Sequence, residues 1–92
     1  MSEFTQQDSI AEEIRDFVVE NFLFGQSSAI PDEDASLLET GVIDSTGVLE
    51  LVTFLEERFQ VHVDDTELVP ENLDSLRRLS NFVRRKQAEN EG

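Results

Sequence analysis

The chain has 92 residues, enough for one small domain that buries about 60 to 65% of the surface its unfolded form exposes. It carries 21 acidic and 7 basic residues, a net charge of −14, which opposes binding to nucleic acid and to anionic lipid headgroups. With no cysteine it has no disulfide framework, no thiolate metal site and no cysteine nucleophile, so any thiol chemistry must come from an added group.

At the N-terminus no basic stretch precedes an apolar one, and no run approaches the roughly 18 apolar residues that span a bilayer, so the expectation is a cytoplasmic protein without membrane insertion. High net charge with 38% hydrophobic residues is also the composition of disordered chains, but the periodicity of the apolar positions argues for a packed fold. The first predicted helix carries Ile10, Ile14, Phe17, Val18 and Phe22 on one stripe. Thr5 or Asp8 could cap it, Ser9 with Glu12 has capping-box spacing, and Gly25 is a natural stop.

Residues 25–43 form a connection that is long for a compact domain. Leu37, Leu38, Val42 and Ile43 should pin its second half to the core. The second helix repeats the apolar stripe through Val48, Leu51, Val52, Leu55 and Phe59, with Glu50, Glu56, Glu57 and Arg58 largely off it. Asp44 or Ser45 supplies its N-cap, and Gly47 is a weak helix former tolerated in the first turn. Beyond it, Asp64 or Asp65 could start one short helical turn, ended by Pro70. The last helix places Leu73, Leu76, Leu79, Phe82 and Val83 on one face, with Asn72 or Asp74 as cap. Charge is uneven along the chain: residues 1–74 hold 19 acids and two bases, whereas residues 75–86 hold five bases and no acid. The expected fold is all-α, a small four-helix bundle of three main helices and one short one, with a long loop between the first two.

Catalytic and metal readings find little support. Asp32, Asp34 and Ser36 begin like a calcium loop, but Leu37 and Ile43 stand where its glycine and bidentate glutamate belong. Around Ser45 a nucleophile elbow needs glycine two places to either side, and Ile43 occupies one of them. His62, the single histidine, lies between Val61 and Val63 in an alternating context that turns it toward solvent. No catalytic or metal-ligating residue is expected.

The stretch ASLLETGVIDSTGVLELVTFLEERFQVHVDD remains. Its apolar pair, Glu39, Gly41, an apolar residue, Asp44-Ser45, and then a helix with Glu50-Leu51-Val52 and Leu55-Glu56-Glu57 closed by Phe59, resemble the heart of the acyl carrier protein family. The resemblance covers roughly residues 8–86. It implies a single carrier domain over 1–92, with an ordered core of about 8–86 and flexible terminal residues. It further implies that Ser45, with Asp44 as its motif neighbour, is where 4'-phosphopantetheine is attached as a phosphodiester, and a helix N-terminus suits that negative charge. The arm would hold an acyl, aryl or aminoacyl group as a thioester. Thr46, Leu49, Glu50, Thr53, Glu56 and Glu57 would then form the recognition face around Ser45. Implied partners are a phosphopantetheinyl transferase, an acyl- or aminoacyl-activating ligase, and downstream synthases or transferases, with the carrier itself a monomer. Thr46 and Thr53 are more polar than is usual in the family, which points to a stand-alone carrier of a specialised pathway. The competing reading is a small acidic helical adaptor without a prosthetic group.

Overall fold

A computed structural model describes residues 6–91. It is a bundle of four helices, α1 Gln6–Phe22, α2 Ser45–Phe59, α3 Pro70–Leu73 and α4 Leu76–Glu91, with short 3-10 turns at Ser27–Ala29 and Asp65–Glu67. The described residues contain no strand and no helix long and apolar enough to cross a membrane.

The apolar stripes become the core. Ile14, Val18, Leu51, Leu55, Leu79, Phe82 and Val83 are buried from three different helices, and Leu37 joins them from the long connection. An aromatic row seals α1 to α2: Phe17 stacks on Phe54 with centroids 4.2 Å apart, while Phe22 and Phe59 meet these rings edge-on. Phe54 stands outside the predicted stripe, and its ring is half-buried through this stack.

Several predicted boundaries move. Helix α1 already includes Gln6, so Asp8 and Ser9 lie inside it and cannot be caps, which need non-helical backbone. Thr5 lies outside the described residues. Gly25 does act as the stop of α1, which ends at Phe22: Phe24 (φ 56°) and Gly25 (φ 83°) are both left-handed, and the Gly25 amide donates to the Val19 carbonyl at 2.9 Å. Pro70 starts α3 instead of ending a turn, because a first-turn position needs no amide proton. The predicted last helix is two helices, broken at Asp74 and Ser75. Ser75 caps α4 by accepting from the Arg78 amide at 3.1 Å, a role the sequence suggested for Asn72 or Asp74.

Asp74 instead ties down the long connection. Its carboxylate accepts from Ser36 Oγ at 2.5 Å and from the Leu38 amide at 3.0 Å, and its carbonyl accepts from the Leu37 amide at 2.8 Å. Arg77 grips the acidic part of the same connection through Glu33 (3.2 Å) and Asp34 (2.5 Å). Leu37 and Ile43 are buried as anchors, but Leu38 is 41% exposed: the turn that seats Leu37 sends the next side chain outward.

Candidate functional site

The long connection delivers its last residues to the start of α2. Asp44 is extended (φ −115°, ψ −176°), and its Oδ1 accepts a hydrogen bond from the Gly47 amide at 2.7 Å. Asp44 is therefore the N-cap, and Ser45 is the first helical residue. Cap duty leaves the serine hydroxyl free: among the described residues Ser45 Oγ has no hydrogen-bond partner, and the side chain is exposed. The Ser45 and Thr46 amides have no preceding helical turn to donate to, so this end offers unpaired N–H groups and the positive end of the helix dipole.

Gly47 has a larger part than its first-turn position implied. A Cβ there would stand 2.7 Å from Ile43 Cγ1 and 2.9 Å from Phe22 Cε1, so the missing side chain lets the end of α1 close against the start of α2. The serine thus sits on a helix terminus held by its cap and by packing beneath it. The serine hydroxyl is exposed beside unpaired amides, surroundings that favour a negative charge.

No family model matches the chain. An acyl carrier protein of Campylobacter hominis is 36% identical over 77 residues, covering 80% of this chain and 89% of that protein. The chain belongs to the acyl carrier protein family. An acyl carrier protein of Campylobacter fetus subsp. fetus is 35% identical over 78 residues, covering 82% of this chain and 92% of the relative. A D-alanyl carrier protein of Abiotrophia defectiva is 33% identical over 57 residues, covering 62% and 72%. The relatives are carriers and not enzymes, and this chain is a carrier in the same sense.

In this family member, the residues expected around the serine spread along the outer face of α2. Thr46, Glu50, Thr53 and Glu57 are exposed, and Leu49 is an apolar side chain 58% exposed. The Thr53 hydroxyl donates to the Leu49 carbonyl at 3.1 Å, turning its polar atom inward onto the helix. Glu56 differs from its neighbours: half-buried, it accepts from the Val63 amide at 2.9 Å and so holds the segment that leaves α2. His62 is exposed as its alternating context implied, with Nε2 at 2.9 Å from Asp64.

The α2–α3 connection has its own electrostatic fastening. Glu67 accepts from the Asp64 amide at 3.0 Å and from Lys86 Nζ at 2.9 and 3.1 Å. The Asp64 amide first, and the Lys86 ammonium second, hold the Glu67 carboxyl below the usual carboxylate range, while the hydrogen bond to Glu67 raises Lys86 above the usual lysine range. Sequence reasoning saw the basic helix but not this pairing, because residues 67 and 86 meet only in the folded chain.

Proposed function

We propose that Ser45 is the covalent attachment point of a 4'-phosphopantetheine arm, and that the protein presents a thioester-bound acyl, aryl or aminoacyl group to biosynthetic enzymes. The observation that carries this reading is the division of labour at the start of α2. Asp44 satisfies the helix end, which frees an exposed Ser45 hydroxyl beside unpaired amides. Those amides suit the negative charge of a phosphodiester on Ser45 Oγ. When bound, the arm would supply the thiol that this cysteine-free chain lacks. The names of the relatives favour acyl and aminoacyl cargo.

Recognition falls to the outer face of α2, where Glu50 and Glu57 offer charge and Leu49 an apolar contact to partners that present basic surfaces. Those partners are a phosphopantetheinyl transferase, an activating ligase and downstream synthases or transferases. The whole chain acts as one monomeric carrier domain in the cytoplasm. The test is intact mass after incubation with coenzyme A, Mg²⁺ and a broad-specificity phosphopantetheinyl transferase. One added phosphopantetheine on the parent, and none on Ser45→Ala, is the expected result. An unmodified parent would leave the adaptor reading standing.

A further inference from the structure

Among the described residues three large apolar side chains are exposed: Phe24 at 90%, Leu49 at 58% and Leu38 at 41%. All three belong to segments that meet at one end of the bundle. Leu49 is one turn into α2 from Ser45. Leu38 lies in the turn that leads to Asp44, its carbonyl accepting from the Gly41 amide at 3.2 Å. Phe24 is two residues beyond Phe22, whose ring packs where a Gly47 side chain would stand.

Phe24 is anomalous twice over. Its backbone is left-handed at φ 56°, a conformation costly for a side chain with a Cβ and normally given to glycine at a helix end. Its ring, almost wholly in water, gains nothing from burial that would offset this cost. The turn needs a left-handed residue there, but neither turn nor core needs a phenylalanine.

The surroundings say what would cover it. From residue 16 to residue 57 the chain has no basic residue, and Glu20, Glu39, Asp44 and Glu50 are exposed on the segments that carry the three apolar side chains. Resting on the proposed function, we propose that Phe24 is a docking anchor for the enzyme that attaches the arm to Ser45. It enters an apolar pocket rimmed by lysine or arginine, with Leu38 and Leu49 as flanking contacts. Any enzyme acting on Ser45 Oγ must cover this end of α2, and an exposed aromatic ring that a partner can bury is the kind of contact that dominates an interface. The acids steer the basic rim toward it.

The experiment compares the full-length parent with Phe24→Gly and Phe24→Tyr, using coenzyme A, Mg²⁺ and a phosphopantetheinyl transferase, with attachment followed by intact mass. Phe24→Gly relieves the left-handed strain, so its melting temperature should equal or exceed that of the parent, while kcat/KM for attachment falls about tenfold or more, mainly through KM. Phe24→Tyr keeps the ring and should load at nearly the parent rate. Those opposite signs, stability up and loading down, would not follow from a purely structural role. Attachment to Phe24→Gly at the parent rate overturns the anchor while the arm on Ser45 still stands. The same rate with faster thioester hydrolysis would make Phe24 a shield for cargo, and also overturns docking. A parent chain that takes up no mass overturns both readings.

Discussion

The Asp74 carboxylate accepts a 2.5 Å hydrogen bond from Ser36 Oγ across 38 residues of sequence, joining the break between α3 and α4 to the loop that leads into Asp44 and Ser45. The same carboxylate holds the Leu38 amide at 3.0 Å. Replacing Asp74 with alanine should cost about 2 kcal/mol, the scale of hydrogen bonds to a charged group. Amide exchange at Leu38 and Ile43 should quicken with it. Denaturant unfolding with residue-resolved hydrogen exchange measures both, and unchanged protection at Leu38 would show that buried Leu37 holds this loop without Asp74.

Because Asp44 is the cap and Ser45 is not, the two adjacent residues should separate stability from modification. Ser45→Ala should leave the melting temperature nearly unchanged and abolish mass gain. Asp44→Ala should lose about 1 kcal/mol, the usual cost of a missing cap. Equal losses of stability in the two variants would place the capping duty on both side chains.

Gly47→Ala sets two effects against each other. Alanine favours the helix by up to about 1 kcal/mol, but its methyl group would meet Ile43 and Phe22 inside 3.0 Å. Overpacking of this kind costs about 1 to 3 kcal/mol. Ile43 is buried and has little room to yield, so net destabilisation of about 1 kcal/mol is expected in thermal unfolding. A stabilised variant would mean that Phe22 swings away freely.

Along the outer face of α2 the glutamates should divide into two kinds. Glu50→Lys and Glu57→Lys should change stability by no more than about 0.5 kcal/mol, yet slow arm attachment, most of all at low salt. Glu56→Lys should also lose its bond to the Val63 amide, costing about 1 kcal/mol. Attachment rates across ionic strength, set beside melting temperatures, test the division. Charge-reversed variants loading at the parent rate would remove this face from recognition.

The Glu67–Lys86 pair predicts a pH dependence. A carboxyl held below its usual range in the folded state contributes its full stability above that range and loses it as pH falls through the lowered value. Lys86, raised, contributes fully below the usual lysine range and loses its share as pH rises through its own raised value. Glu67→Gln keeps an acceptor for the Asp64 amide but removes the charge, and should cost about 1 kcal/mol near neutrality. The parent and variant stability curves should draw together as pH falls below the usual carboxylate range. A constant offset down to strong acid would show that packing, not charge, separates them.

Much of this was legible because helical amphipathicity is local. Ile10, Ile14 and Val18, like Leu51, Leu55 and Phe59, lie a turn apart, so spacing alone shows which face is buried and that the fold is all-α. The placement of Ser45 at the mouth of α2 was equally local, an Asp-Ser pair directly before an apolar stripe.

What the chain could not announce was which of several competent polar groups would close each bond. Asp44 and Ser45 are both good caps, and so are Asn72, Asp74 and Ser75, and residue type alone does not choose between them. Asp74 is taken by Ser36 and Leu38, which leaves Ser75 to cap α4. Glu56 meets Val63, Glu67 meets Lys86, and Phe22 fills the space a Gly47 side chain would need. Leu38 looked like an anchor by type but is exposed, because only one of two adjacent leucines in a tight turn can face the core. Period and residue type determine which face of each helix is buried, since both act within one turn. The path of the loop and the cap of α4 were decided by tertiary contacts, because a hydrogen bond is directional and each acceptor's choice waits on where the rest of the chain brings the donors.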